Sequence, residues 1–178
     1  VCIPIFGEKI TAKFAGYEAG AGKPGEYRPD ASQAQVVFTG HIEPAAVHRG
    51  GKAKLVITAT PNPQWHIYAN AAKDPDVVGG NKPTLIYVSP PTGWKQSAVK
   101  ASAQPTIKPA AGTLPEQRYF EKPVTWTVDL AVPSDAPQGE TFITGYLGFQ
   151  TCNESSCQPP QAAQFRVALP IKTATENG

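Results

Sequence analysis

The 178-residue chain lacks the features that define several common protein classes. It has no methionine, only three cysteines, and charged residues make up 17% of it. No apolar run approaches the roughly 18 residues that a membrane-spanning helix needs, and no segment has the charged-then-apolar pattern of a signal peptide. The net charge of +2 is not gathered into a basic cluster, which argues against nucleic-acid binding through phosphate contacts. Three cysteines in this length also exclude a disulfide-dense scaffold.

Proline and glycine are abundant instead, with 19 and 16 residues respectively. A proline inside a helix costs about 3 kcal/mol, so the composition disfavours long helices. The length suits one domain with its own hydrophobic core. Low periodicity in "YEAGAGKPGEYRPDASQ" predicts an irregular N-terminal extension over 1–31. The domain itself is predicted over 32–170, and a C-terminal linker over 171–178.

The central part alternates apolar and polar residues with the period of a β-strand. In one such run Val124, Trp126, Val128 and Leu130 fall on a single face. About seven short strands without an amphipathic helix predict an all-β fold, an immunoglobulin-like antiparallel β-sandwich. The predicted strands are QAQVVFTGHIEP, AKLVITATP, QWHIYAN, PTLIYVSPP, KPVTWTVDLAVP, ETFITGYLGFQTC and AQFRVALP.

The segment from Lys95 to Phe120 shows no such alternation. It is predicted to be a long connection with almost no regular structure. Connections of this length are uncommon inside compact domains and are often functional.

Two of the three cysteines, Cys152 and Cys157, flank the turn-forming sequence NESS. Period-two counting along the preceding strand places Cys152 on the same face as Phe142 and Gln150. If the turn closes a hairpin, the cysteines face each other with Cα atoms about 4.5 or 5.5 Å apart. Disulfides accept about 4.4–6.8 Å, so a bond between them is geometrically feasible.

Three interpretations of this pair remain open at the level of the residues. A structural disulfide closing so short a loop would contribute only about 2 kcal/mol. A zinc site needs four ligands, and His41, His48 and His66 are scattered along the chain. Thiol–disulfide exchange needs one reachable sulfur and one resolving sulfur, and a hairpin tip offers both.

The surroundings of the pair bear on how it would exchange. The sequence predicts no helix N-terminus at the pair and places no Lys or Arg next to it that would lower the thiol pKa, and Glu154 between the cysteines would raise it. The pair therefore suits a disulfide attacked by a partner's thiolate, or a dithiol oxidised by a partner's disulfide. Such exchange needs no cofactor beyond the two cysteines.

Three segments resemble the N-terminal periplasmic domain of the DsbD family of thiol:disulfide interchange proteins. They are "FQTCNESSCQPP" followed by "FRVALP", the upstream "GGKAKLVITATPNPQWHIYAN", and "PTLIYVSPPTGW". The resemblance extends from Ser32 to Pro170 and implies an immunoglobulin-like domain, in agreement with the strand pattern.

The resemblance also implies a site. Cys157 would form the mixed disulfide with a partner, and Cys152 would resolve it. A short acidic-aromatic loop shields the pair in the family, and this sequence has no matching segment. The stretch from Lys95 to Phe120 occupies its place, with "QPTIKP" (104–109) as the candidate substitute. The implied supporting residues are His66, Tyr68, Gln150 and Pro159.

The implied function is a periplasmic electron relay. Thioredoxin-like domains would be its electron donor and acceptor, with disulfide isomerases or cytochrome c maturation factors among the recipients. The full-length protein would tether the domain to a membrane domain. The alternative is an immunoglobulin-like binding or structural module whose hairpin disulfide is inert.

Overall fold

The computed structural model describes residues 5–6, 18–19, 35–71 and 81–173. Within these ranges the chain forms strands and no helix, so no helical segment there is suited to crossing a membrane. In chain order the strands of the described ranges are β1 (Ile5–Phe6), β2 (Glu18–Ala19), β3 (Val36–Glu43), β4 (Val47–His48), β5 (Lys52–Pro61), β6 (His66–Tyr68), β7 (Leu85–Ser89), β8 (Lys95–Gln96), β9 (Lys100–Ala101), β10 (Thr106–Lys108), β11 (Gln117–Phe120), β12 (Val124–Ala131), β13 (Gly139–Phe149), β14 (Thr151–Cys152) and β15 (Gln161–Lys172).

One face of the sandwich is a five-stranded sheet in the order β3-β5-β12-β8, with β9 also paired to β12. Strand β12 follows the predicted alternation, since Val124, Trp126, Val128 and Leu130 are all buried. It runs antiparallel to β5 over its whole length. The predicted strand over QAQVVFTGHIEP is confirmed as β3, where Val37 is 57% exposed between buried neighbours.

The opposite face is a six-stranded sheet built around the long pair β13 and β15, which are antiparallel over eleven residue pairs. Strand β7 pairs with β13, while β1, β2 and β4 pair with β15. Glycine is required at Gly145, because a Cβ atom there would lie 2.3 Å from the ring of Phe165 and from the carbonyl oxygen of Tyr87.

A single apolar core joins these two sheets, which confirms the predicted immunoglobulin-like β-sandwich. Trp126 from one sheet and Phe149 and Phe165 from the other are almost fully buried. Burying each side chain of this size contributes about 1.5–3 kcal/mol. The fold therefore has a core that does not depend on a covalent link.

A third, four-stranded sheet in the order β10-β11-β6-β14 carries Cys152. It includes β10 and β11 from the segment Lys95–Phe120, for which the sequence predicted almost no regular structure. That prediction is wrong: the segment forms the four short strands β8 to β11. The residues of β8, β9 and β10 are all exposed, so they carry no apolar alternation and are held by backbone pairing to β12 and β11.

The predicted N-terminal extension falls outside the described residues except for β1 and β2. Residues 174–178 of the predicted C-terminal linker also lie outside the described residues. The division of the chain at 31 and 170 therefore stays a prediction.

Candidate functional site

Cys152 and Cys157 are joined by a disulfide bond. They form an isolated antiparallel bridge, so they stand opposite each other as the hairpin prediction requires. Their Cα atoms are 4.0 Å apart, slightly closer than the spacing expected for opposed strand residues. A backbone bond from the N–H of Gln158 to the carbonyl of Thr151, at 2.9 Å, aligns the two arms.

The turn between the cysteines is held by Asn153. Its Oδ1 accepts hydrogen bonds from the backbone N–H groups of Ser155 and Ser156, at 2.9 and 2.7 Å. Its own N–H donates to the carbonyl of Ser156 at 2.8 Å. This side-chain to backbone pattern is the reason asparagine favours such turns.

The two sulfur-bearing residues differ sharply in exposure. Only 1% of Cys152 is accessible, whereas Cys157 is exposed. The prediction that Cys152 shares a face with Phe142 is wrong, since 37% of Phe142 is accessible. The reason is that β13 ends at Phe149, Gln150 lies outside any strand, and β14 joins a different sheet, which breaks the alternation.

His66 lies directly beside the buried cysteine, because β14 pairs with β6 in the register Cys152↔His66. Its Nε2 shares a hydrogen bond of 3.2 Å with the hydroxyl of Tyr68. The ring of Tyr119 lies 4.4 Å from the imidazole between centroids. Burial lowers the pKa of His66, Glu121 opposes this, and Lys108 adds to it. His66 is therefore held as a neutral imidazole.

Tyr68 is almost completely buried, with 5% of it exposed. Burial, with a smaller contribution from Tyr119, raises the pKa of Tyr68 to about 12, and a hydrogen bond from Asn81 partly offsets the shift. The phenol therefore keeps its proton throughout the physiological range and acts as a neutral hydrogen-bonding group.

Gln150 connects two segments that flank the disulfide. Its Oε1 accepts a 2.8 Å hydrogen bond from the backbone N–H of Lys82, and its Nε2 donates to the carbonyl of Gln158 at 3.2 Å. Lys82 follows Asn81, and Gln158 follows Cys157. The amide of Gln150 thus fixes the segment that carries Asn81 against the one that carries the exposed sulfur.

Asn81 is the residue of this site that sequence reasoning missed. Its Oδ1 lies 3.8 Å from Sγ of Cys157, and its side chain bonds to Tyr68. No local pattern identifies it, because it lies in the Gly- and Pro-rich run GGNKP and acquires its position only when residues 81–83 pack against the hairpin.

Strand β10, which includes part of "QPTIKP", belongs to the same sheet but is separated from β14 by β11 and β6. Shielding of the cysteine pair by this segment stays a prediction. Pro159 is exposed two residues after Cys157, and its contribution to the site stays a prediction. A polar cleft beside the turn is lined by Gln64, His66, Glu121, Asn153, Glu154 and Ser155.

Comparison with protein families gives one match over most of the chain. The family model described as "Thiol:disulfide interchange protein DsbD, N-terminal" matches residues 33–169. A search of curated proteins found no match.

Three solved structures show weak overall similarity. The N-terminal periplasmic domain of ScsB from Proteus mirabilis has a TM-score of 0.45 and 14% identity, over 75% of this chain and 47% of that chain. A family 123 glycoside hydrolase from Clostridium perfringens has a TM-score of 0.39 and 9% identity, over 79% and 27%. AggA, the major subunit of aggregative adherence fimbriae type I from Escherichia coli, has a TM-score of 0.38 and 11% identity, over 79% and 97%. The chain therefore spans less than half the length of the first two of these structures.

Proposed function

Because the chain belongs to the family of N-terminal domains of the thiol:disulfide interchange protein DsbD, we propose that it is an extracytoplasmic module that relays two electrons through the Cys152–Cys157 pair. The observation that carries the proposal is the unequal exposure of one disulfide, with Cys152 buried and Cys157 at the surface. Exchange proceeds through a mixed disulfide, and this arrangement leaves one sulfur for the partner and one for resolution.

The oxidised domain accepts electrons in two steps. A partner thiolate attacks Sγ of Cys157, a new S–S bond forms, and the Cys152–Cys157 bond breaks with its electron pair leaving on Cys152. Cys152 then takes up a proton. The partner's second thiolate attacks its own sulfur in the mixed disulfide, and Cys157 leaves as the second thiolate. Cys157 takes up a proton, so the partner ends as a disulfide and the domain as a dithiol.

Passing the electrons on reverses these roles. The Cys157 thiolate attacks the disulfide of an acceptor, whose far sulfur leaves as a thiolate. Cys152 then loses its proton and attacks Sγ of Cys157, which restores the domain's disulfide and breaks the bond between Cys157 and the acceptor. The two acceptor thiolates take up protons, and the acceptor leaves as a dithiol. The cysteine pair is the only redox group that these steps use.

The proposed donor and acceptor are thioredoxin-like domains, because their exposed dithiol sites supply the activated thiolate that this site lacks. Acceptors of the disulfide isomerase or cytochrome c maturation class fit the same chemistry. A disulfide in the chain is in keeping with an oxidising, periplasmic compartment. In the full-length protein we place the domain beside a membrane domain that supplies the electrons.

A direct test mixes the oxidised protein with a reduced, purified thioredoxin-like protein that has a Cys-X-X-Cys site. Thiol formation is followed by alkylation and a gel shift. The wild type and the control Cys2→Ser are expected to become reduced at the same rate, and Cys157→Ser to show no transfer. If Cys157→Ser transfers electrons at the normal rate, the assigned roles are wrong. If the wild type stays oxidised although dithiothreitol reduces it, the inert hairpin disulfide is the better account.

A further inference from the structure

The carboxamide of Asn81 connects the exposed sulfur to the buried ring pair beneath it. Oδ1 of Asn81 is 3.8 Å from Sγ of Cys157. The Asn81 side chain also bonds to the side chain of Tyr68, whose hydroxyl shares a hydrogen bond of 3.2 Å with Nε2 of His66. Because Tyr68 is a buried residue of β6, this bond restricts the orientation of the carboxamide.

The backbone that carries Asn81 is fixed as well. Gln150 bonds to the N–H of Lys82 and to the carbonyl of Gln158, the residues that follow Asn81 and Cys157. The distance between the carboxamide and the sulfur is therefore constrained by two independent contacts. A freely rotating surface side chain would have neither.

In the disulfide state the sulfur of Cys157 has no proton, so it donates no hydrogen bond to Oδ1 of Asn81. Reduction changes this, because a thiol is a weak hydrogen-bond donor and Oδ1 of Asn81 already lies within reach of a sulfur donor. A hydrogen bond to the protonated form of an acid favours that form over its anion.

We propose that Asn81 is a positioning residue whose carboxamide oxygen accepts a hydrogen bond from the reduced Cys157 thiol and so disfavours its thiolate. This inference rests on the proposed function and adds a form of regulation to it. The reduced site holds its electrons against small-molecule disulfides, since the thiolate is the species that attacks them. A partner must engage the site before transfer becomes fast.

Other charged and titratable groups surround the site and act on the same thiol. Glu154 acts in the same direction as Asn81, and the neighbouring cations act against it. The charged and titratable groups around the site are Glu154 in the turn, Lys82 beside Asn81, His66 and Tyr68 of β6, Lys108 of β10, Glu116, Arg118 and Tyr119 of the β11 region, and Glu121. Each variant described below keeps all of them, so a difference between variants reports on residue 81.

The test is the pH dependence of alkylation of the fully reduced protein by iodoacetamide, with each cysteine assigned by tandem mass spectrometry. Asn81→Ala is expected to lower the midpoint for Cys157 by about 0.5 to 1 pH unit, which is roughly a three- to tenfold gain in thiolate. Asn81→Asp, which places an anion at the same distance, is expected to raise it. The control Gln96→Leu removes an amide that is bonded to the Val88 carbonyl and belongs to a different sheet from Cys152, and it is expected to leave the midpoint unchanged.

A second measurement distinguishes the loss of this one hydrogen bond from a general loosening of the structure around the cysteine pair. The proposed bond exists only in the dithiol, so Asn81→Ala is expected to shift the equilibrium with glutathione toward the disulfide by roughly the same three- to tenfold factor. A midpoint for Asn81→Ala that equals the wild-type value in folded protein overturns the inference, whatever Asn81→Asp does, because an added carboxylate raises the midpoint by its charge alone. Neither measurement uses a protein partner, so failure here is distinguishable from a wild type that exchanges with no thioredoxin-like protein.

Discussion

Cys152 and Cys157 share one disulfide, yet 1% of Cys152 is accessible and Cys157 lies at the surface. The asymmetry arises because Cys152 ends a strand paired with β6, while Cys157 follows a turn that projects from the sheet edge. An attacking thiolate can therefore reach one sulfur only. The proposed roles of the two cysteines rest on this difference.

Replacing the buried cysteine is expected to trap a partner. In Cys152→Ser the free Cys157 can still form a mixed disulfide, but this domain no longer supplies a sulfur to resolve it. The partner is a thioredoxin-like protein whose second active-site cysteine is replaced by Ser and whose first carries a thionitrobenzoate leaving group, so that neither protein can resolve the adduct. Non-reducing electrophoresis should then show a stable adduct that dithiothreitol releases. The double variant Cys152→Ser, Cys157→Ser is the control, and an equal yield of adduct from it would place the reactive thiol elsewhere.

Reduction of the disulfide is expected to leave the protein folded. Closing a loop of about six residues contributes about 2 kcal/mol, which is small beside a core that joins two sheets. Urea unfolding of the oxidised and reduced forms at one pH should give that difference with similar denaturant dependence. A reduced protein that is already unfolded without urea would mean that the disulfide is needed for the fold.

The turn between the cysteines is expected to depend on Asn153. Asn153→Ala removes the acceptor of two backbone N–H groups and should lower the free energy of unfolding by about 1 kcal/mol. The loss should be larger in the reduced protein, because the disulfide otherwise keeps the turn closed. Urea unfolding of both redox forms measures it, with Glu154→Ala in the same turn as the control. An equal or greater loss for Glu154→Ala would remove the special role of Asn153.

The imidazole of His66 is expected to titrate below its usual pKa of 6.5, because burial disfavours the charged form. The unfolded state then binds the proton more readily, so below about pH 6.5 stability falls as the pH falls toward the folded-state pKa. NMR titration of the His66 ring gives the midpoint directly. Glu121→Gln should lower it further and Lys108→Gln should raise it, since the two charges act in opposite directions. A wild-type midpoint at or above 6.5 contradicts the burial argument.

The sequence predicted those parts of the fold that bury one face of a strand. Strands such as β3 and β12 were found because their apolar residues alternate. Strands β8 to β10 were missed because all their residues are exposed, so only backbone pairing holds them. Strand periodicity also placed Cys152 on the wrong face, since no local signal marks the change of sheet at Gln150.

The candidate site was predictable only in part for a similar reason. The close cysteines and the turn formers between them are neighbours in sequence, so spacing alone predicted an opposed pair. Asn81 is far from them along the chain, and it reaches Cys157 through packing arranged by Gln150. Residues that act through such tertiary contacts leave no periodic trace in the sequence.

The reduction potential of the Cys152–Cys157 pair tests the electron-relay account most directly. It is measured by equilibrating the protein, with Cys2→Ser to remove the third thiol, in glutathione and dithiothreitol buffers of known potential. A relay site must exchange with thioredoxin-like partners, so the account predicts a value within roughly −270 to −120 mV. A value below about −300 mV, the range of structural disulfides in secreted proteins, would contradict it.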